Sequence, residues 1–214
     1  MKRFFLYKMA SAIEDLARTY YPTEGSHGWN HIEDVVASGK RMLRAKGEKL
    51  TPEAEAALMF HDSGLYPNGL DNPEVRYGHE RRGATVARRA LKDMFDKETL
   101  LRIAAAIREH RGSYKGEYTS PLSDLVSSAD RGKPDLGKKI MRSWTYGMEH
   151  GYSPERAARN VVEQVQMKYG TGGYARMPSY YQAVYQRALD KFHRDVDALT
   201  EKKVLEYVKK HQSK

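Results

Sequence analysis

Hydrophobic residues recur at helical spacing along nearly the whole chain. Near the start, Leu6, Met9, Ile13 and Leu16 form one apolar stripe within residues 4–20, which predicts an amphipathic helix. The same spacing predicts further helices over residues 29–45, 52–61, 78–95, 97–110, 121–131, 135–150, 154–169 and 179–211. No stretch alternates apolar and polar residues in the manner of paired strands. The pattern therefore predicts an all-α fold.

Turn and capping residues separate the predicted helices. Thr51-Pro52 and Ser153-Pro154 each place a hydroxyl before a proline, which is typical of the start of a helix. The segment Gly170-Thr171-Gly172-Gly173 precedes the last predicted helix. Because this segment lacks the lysine and the spacing of a P-loop, we interpret it as a linker that breaks the helix.

Composition narrows the classes of chemistry that the chain can perform. The 214 residues are 40% hydrophobic and 30% charged and include no cysteine. A packed core is therefore expected, while disulfides, thiolate metal sites and cysteine nucleophiles are excluded. No apolar run approaches the roughly 18 residues that a membrane span needs. We expect a cytoplasmic protein with no membrane partner.

Basic residues exceed acidic ones. The net charge is +9, from 37 Lys and Arg against 28 Asp and Glu. Residues 1–150 contribute +4 and residues 151–214 contribute +5. This surplus favours polyanionic partners such as nucleotides, nucleic acid or phosphorylated substrates. No long basic block occurs, so we interpret the charge of the C-terminal part as a solvated surface.

Histidines and aspartates occur where predicted helices should face the core. The ordered series is His31, His61-Asp62, His79, His110 and Asp130. A charged aspartate on a core-facing position is costly unless something pairs with it. One or two divalent cations would satisfy the whole series, and imidazole with carboxylate suits manganese, iron, zinc, cobalt or nickel.

The series resembles the HD superfamily of metal-dependent phosphohydrolases. The local contexts are similar as well: His27-Gly28-Trp29-Asn30-His31-Ile32, Phe60-His61-Asp62-Ser63-Gly64, Ile107-Arg108-Glu109-His110 and Ser128-Ala129-Asp130-Arg131. The resemblance implies an HD-domain helical bundle with additional C-terminal helices. We expect residues 1–150 to form the metal-binding helical domain and residues 151–214 to form an extension packed on it.

The same resemblance implies which residues bind metal. One ion would be held by four residues: His31, His61, Asp62 and Asp130. A second ion would be held by His79 and His110, with Asp62 as the bridge, so we predict a binuclear site. Magnesium joins the candidate metals on this basis, with manganese or iron favoured.

A phosphohydrolase of this kind attacks phosphorus with a metal-activated hydroxide. The expected catalytic residues are His61, Asp62 and Glu80, although a glutamate in the first turn of a helix also stabilises the helix dipole. Arginine and lysine side chains suit phosphate oxygens. We expect five residues to face the substrate: His27, Arg82, Arg111, Arg131 and Lys133. His27 would either face the substrate or support a ligand.

The expected substrate is a nucleotide or a related small phosphorylated compound, and a homo-oligomer is compatible with the sequence. Alarmone hydrolases of the family carry a glutamate-aspartate pair soon after the His-Asp, whereas Ser63-Gly64 follows here. An alternative is an HD-type di-iron oxygenase, because Tyr21 and Glu24 precede His31 in an arrangement similar to that of the enzymes that cleave carbon–phosphorus bonds. A basic nucleic-acid-binding protein is the less favoured third reading.

Overall fold

The computed structural model describes residues 2–23, 27–66, 77–114, 116–175 and 177–212. These residues form ten helices and no strand, which confirms the all-α fold. None of the helices is both long enough and apolar enough to cross a membrane over the residues described. The helices are α1 Lys2–Arg18, α2 Trp29–Ala45, α3 Pro52–Phe60, α4 His79–Ala90, α5 Lys97–Glu109, α6 Pro121–Asp130, α7 Leu136–Glu149, α8 Pro154–Tyr169, α9 Ser179–Asp197 and α10 Glu201–Gln212.

The chain divides into two compact units. The first comprises Met1–Gly132 and Met177–Val184, and the second comprises Lys133–Arg176 and Tyr185–Lys214. The division into domains 1–150 and 151–214 stays a prediction.

Helix α3 lies at the centre of the first unit. The Thr51 hydroxyl accepts a hydrogen bond from the Ala54 amide, and Pro52 occupies the first turn, so the helix start is set locally. Every residue from Ala54 to Phe60 is buried, and α3 packs against α1, α2, α4, α5 and α6. A helix that is buried on all sides delivers whatever follows it into the interior. The next two residues are His61 and Asp62.

The start of α9 belongs to the first unit and is attached to α6. The Asp124 carboxylate accepts hydrogen bonds from the backbone amides of Ser179 and Tyr180 at 2.8 and 3.0 Å. The Ser128 hydroxyl accepts a third, from the Tyr181 amide at 3.1 Å. These bonds satisfy amides that a helix start otherwise leaves without partners, and they tie α9 to the helix that ends at Asp130.

The second unit is built on its own core. Helix α8 packs against α7 and α10. The core consists of eleven buried residues: Ile140, Trp144, Ala157, Ala158, Val161, Val165, Phe192, Val196, Leu199, Val204 and Val208.

The prediction of one helix over residues 179–211 is wrong. The chain breaks after Asp197, and α10 starts at Glu201. Leu199 is buried at the break, and the Thr200 carbonyl accepts from the Val204 amide to begin α10. The break allows α10 to pack against α8, which a continuous helix would not permit. Helix α4 also ends early, at Ala90 instead of residue 95, where the buried Leu91 closes it.

Candidate metal centre

The six predicted ligands all sit at or near helix ends in the first unit. His31 is in the first turn of α2, and His79 is the first residue of α4. His61 and His110 directly follow α3 and α5, and Asp130 is the last residue of α6. Five helices of the first unit therefore direct imidazole or carboxylate groups to one place.

The Asp62 carboxylate is the centre of this cluster, and its two oxygens face different histidines. The Oδ2 atom lies 3.4 Å from His61 Nε2 and 3.7 Å from His31 Nε2. The Oδ1 atom lies 3.2 Å from His79 Nε2 and 3.5 Å from His110 Nε2. One carboxylate thus separates two groups of imidazoles, which is the arrangement that a bridging ligand requires.

A second carboxylate completes one of the two groups. Asp130 Oδ1 lies 3.3 Å from His31 Nε2 and 3.7 Å from His61 Nε2. His31, His61 and Asp130 can each offer one atom to a shared ion, since these atoms all lie within 4.8 Å of one another. The same holds for Asp62, His79 and His110, and for His27, His31 and Asp62.

Backbone carbonyls orient two of the imidazoles. His61 Nδ1 lies 2.8 Å from the Leu58 carbonyl oxygen, and His110 Nδ1 lies 2.6 Å from that of Ile107. A carbonyl only accepts hydrogen bonds, so each Nδ1 carries the proton. The Nε2 atom of a neutral ring then presents a lone pair toward the carboxylates, as a metal-binding histidine does.

The cluster fits a divalent cation. The Nε2 atoms of His31 and His61 are buried and make no hydrogen bond to any described residue. Buried polar atoms without partners are rare and costly, and a cation placed among imidazoles and carboxylates would satisfy them. The donors are nitrogen and carboxylate oxygen, which suit manganese, iron, zinc, cobalt and nickel.

The electrostatics of the cluster favour positive charge at its centre. Burial raises the pKa of Asp62, but the positive charge of His61 and the neighbouring imidazoles of His110 and His27 outweigh it and hold the pKa well below its usual range. Burial lowers the pKa of His61, yet Asp62 and Asp130 raise it overall to well above the ordinary value. The raised pKa of His61 and the lowered pKa of Asp62 have the same cause, the mutual attraction of the imidazole and the carboxylates. The electrostatic potential of the carboxylates stabilises a cation near His61 Nε2.

His27 reaches the cluster as well. Its Nδ1 donates to Asp62 Oδ2 at 2.9 Å, and its ring meets that of His31 edge to face at 5.5 Å. The structure therefore places His27 against the bridging carboxylate. Its predicted part in substrate binding stays a prediction.

Glu80 and Arg111 form a charged pair beside His79. Glu80 Oε2 is buried, lies 3.6 Å from His79 Nδ1 and 3.6 Å from Arg111 Nη1, and has no hydrogen bond to a described residue. The Arg111 side chain is 38% exposed, so it remains open to a ligand. The structure brings both residues to the cluster, as the sequence-based site requires.

Three further predicted substrate contacts have other surroundings. Arg131 Nη2 lies 3.5 Å from the Tyr118 hydroxyl and 3.4 Å from that of Ser127. Arg82 donates from Nε to the Gly64 carbonyl and from Nη1 to the Tyr77 carbonyl, which gives it a structural role. Lys133 lies in the second compact unit. The substrate contacts of these three residues stay predictions.

Glu109 was not singled out by the sequence. It is buried, and its carboxylate accepts from both the amide and the hydroxyl of Thr119 at 2.9 Å. These bonds join the end of α5 to Thr119, and Arg111 lies between these two points in the chain. The available signal was its position three residues after the buried Ala106 on α5, which marks a core-facing site.

Tyr21, one of the two residues on which the oxygenase alternative depends, lies in the core of the first unit. The Tyr21 hydroxyl donates to the Met59 carbonyl at 2.7 Å, and the ring packs between Trp29 and Tyr66. Tyr21 is thus a core residue. Glu24 lies outside the described residues.

Comparison with models of protein families matches residues 28–141 to the HD domain. Comparisons with curated proteins and with solved structures found no match. The matched region contains all six residues predicted as ligands and extends over more than half of the chain. The chain therefore belongs to the HD domain family. The HD domain is characteristic of a superfamily of metal-dependent hydrolases.

Proposed function

We propose that this protein is a metal-dependent phosphohydrolase that cleaves a phosphate ester or anhydride of a nucleotide or a related small phosphorylated compound. The observation that carries the proposal is the position of Asp62. Its two oxygens face two separate groups of imidazoles, as a carboxylate shared by two cations would.

The chain offers ligands for two divalent cations. His31, His61, Asp62 and Asp130 would hold the first, and Asp62, His79 and His110 would hold the second. Divalent cations in such a site lower the pKa of bound water and polarise a phosphoryl oxygen. Manganese or iron is the favoured identity.

Residues around the cluster would bind and orient the phosphate. The Arg111 guanidinium is partly exposed and is held near the cluster by Glu80 at 3.6 Å, and arginine suits phosphate oxygens. Arg131 directly follows Asp130, and its Nη2 atom lies beside the neutral hydroxyl groups of Tyr118 and Ser127, so these two contacts do not neutralise its charge. Both arginines would neutralise oxygens that the cations do not reach.

Glu80 is the proposed acid or base of the chain. Its Oε2 atom is buried and accepts no hydrogen bond from a described residue, so it has capacity to take up a proton. The neighbouring Arg111 Nη1, 3.6 Å away, would orient this oxygen. His27 donates to Asp62 and would keep the bridging carboxylate oriented while substrate binds.

Product analysis tests this function directly. Wild-type protein with added manganese would be incubated with mono-, tri- and cyclic nucleotides, and the products would be identified by mass spectrometry. We expect wild type and Asp34→Ala, which alters an exposed aspartate of α2, to hydrolyse at least one nucleotide of the panel, with release of phosphate, pyrophosphate or tripolyphosphate or with opening of a cyclic phosphodiester. Asp62→Ala should bind no metal and release nothing.

Two outcomes would contradict the proposal. Full activity in Asp62→Ala would show that the cluster is not the catalytic centre. Absence of turnover across the panel, together with retained iron and oxygen-dependent loss of a substrate, would instead favour the di-iron oxygenase.

A further inference from the structure

The second compact unit holds most of the net charge of the protein. It contains 16 Lys and Arg against nine Asp and Glu, so it carries +7 of the total +9. The first unit, which holds the histidine and aspartate cluster, is close to neutral at +2. The basic surplus is therefore concentrated in the second unit, which favours an anionic ligand on that unit.

A cavity opens on the surface of this unit. It has a volume of about 600 Å³ and is lined by residues of α7, α8 and the segment that follows α8. Sites for small molecules have volumes of roughly 300–1,000 Å³. All residues that line the cavity lie between Lys139 and Tyr174, within the second unit.

Three cations line the cavity without a carboxylate among the described lining residues. Lys139 and Arg142 are one turn apart on α7, and Lys168 lies near the end of α8. The ammonium groups of both lysines lie over the ring of Tyr169, at 5.6 and 5.2 Å from its centroid. Each of the two ammonium groups lies within reach of the electron-rich ring, and the three side chains give this wall of the cavity a positive charge that suits an anionic ligand.

Aromatic rings share the cavity with these cations. Tyr146 and Tyr174 line it while remaining 53% and 50% exposed, and one face of the Tyr146 ring is stacked on His150 at 3.9 Å, which leaves the other face for a ligand. By contrast, Tyr180, Tyr181 and Tyr185 are buried. Exposed tyrosine faces stack on nucleobases, and the amide groups of Asn160 and Gln164 in the lining can both donate to and accept from a base edge.

The glycine-rich segment of residues 170–173 leads to the cavity, but its Thr171 groups are already bound to a carboxylate and would not bind a phosphate group of a ligand. The amide and hydroxyl of Thr171 donate to the Asp197 carboxylate at 2.8 and 2.6 Å. Groups that already serve a carboxylate are not available to a second anion. The segment instead ends α8 and brings Tyr174 to the cavity, so the cations of α7 and α8 remain the phosphate ligands.

We propose that this cavity is a second, metal-independent binding site for a nucleoside di- or triphosphate. Lys139, Arg142 and Lys168 bind the phosphate groups, and Tyr146 and Tyr174 contact the base. Its lining residues all belong to the second unit, whereas the predicted metal ligands belong to the first, and the proposal does not depend on what the metal centre hydrolyses.

The test is calorimetric titration of the full-length wild-type protein in EDTA with the β,γ-methylene analogue of ATP. We expect saturable binding of one nucleotide. Replacing both Lys139 and Arg142 by alanine should weaken binding about tenfold or more, because each removes a charge-assisted contact. Lys138→Ala changes an exposed neighbour outside the cavity and should bind as wild type does. Thermal unfolding verifies that each variant is folded.

A second comparison tests the base contact. Tyr174→Ala should weaken binding of the ATP analogue but leave binding of inorganic tripolyphosphate unchanged. Tripolyphosphate binding to wild type as tightly as the analogue would overturn the assignment to a nucleotide. Preferential binding of a single-stranded oligonucleotide would overturn it in favour of a nucleic-acid site.

The titration also separates this inference from the proposed function. Asp62→Ala should retain nucleotide binding in EDTA. Loss of binding in Asp62→Ala, or unchanged binding in the Lys139→Ala/Arg142→Ala variant, would place the nucleotide elsewhere and overturn the inference. A negative product assay would overturn only the hydrolase assignment.

Discussion

The Nε2 atoms of His79 and His110 lie 3.3 Å apart, and both face the same oxygen of Asp62. The Ile107 carbonyl holds the proton of His110 on Nδ1, so its Nε2 presents a lone pair toward His79. Two imidazole nitrogens and a carboxylate oxygen thus converge within 3.5 Å of one another. One divalent cation would be shared by all three.

His110→Ala should therefore remove one of the two metal ions. The variant loses a ligand of the second ion only, because the group formed by His31, His61 and Asp130 does not include it. We expect the metal content, measured by inductively coupled plasma mass spectrometry, to fall from two ions per chain to one. His211→Ala, an exposed histidine, is the control. Two ions retained in His110→Ala would show that His110 is not a ligand, and a single ion per chain in wild type would refute the binuclear site.

Arg111→Ala should weaken substrate binding without loss of metal. The guanidinium is partly exposed and lies beside Glu80, where it can reach a phosphate but not replace a ligand. We expect KM to rise about tenfold, as for the loss of one charge-assisted hydrogen bond. Steady-state kinetics with metal analysis measures this. Arg108→Ala, an exposed residue on the last turn of α5, should leave KM unchanged, and an equal effect in both variants would argue against the phosphate contact.

Gly64→Ala should destabilise the fold and displace His79. A Cβ atom on Gly64 would approach the His79 carbonyl and the Gly83 amide more closely than any non-bonded contact allows, so α4 would have to move. We expect the free energy of unfolding to fall by about 1–3 kcal/mol, as in other overpacked positions. Urea unfolding measures it. At Gly112 the added atom would meet only Arg131 Nη1 at 3.7 Å, so Gly112→Ala should have a much smaller effect.

Glu55→Gln should stabilise the protein at neutral pH. Burial raises the pKa of Glu55, and Lys40 only partly opposes this, so the charged carboxylate is costly in the native state. As pH falls through the raised native pKa, the wild-type native state takes up a proton before the unfolded state does and gains stability. The stability advantage of Glu55→Gln over wild type should therefore shrink as pH falls.

Urea unfolding at neutral pH and in mildly acidic buffer measures this difference. Glu149→Gln, which changes an exposed carboxylate, should show no such dependence. If the free energies of unfolding of wild type and Glu55→Gln differ by the same amount at both pH values, the pKa of Glu55 is not raised.

Local signals in the sequence sufficed for most helix starts and for selecting the histidines and aspartates that the structure brings together. Thr51-Pro52 and Ser153-Pro154 cap α3 and α8 as predicted, because a capping hydroxyl acts within three residues of itself. The apolar stripes placed His61 and His110 on the inner faces, where both are buried. The break before α10 escaped prediction because residues 179–211 keep helical spacing on both sides of Thr200. Only the packing of Leu199 marks it.

The sequence by itself determined the all-α class, most of the separate helices and the residue types that can bind a metal, because these depend on periodicity and on chemistry within a few neighbours. Tertiary structure decided which oxygen of Asp62 faces which histidine, and that Glu109 holds Thr119. It also decided that Lys139 of α7 lies near the ring of Tyr169 at the end of α8. These relationships join residues that are distant in the chain, and only the packing of helices against one another sets distances of that kind.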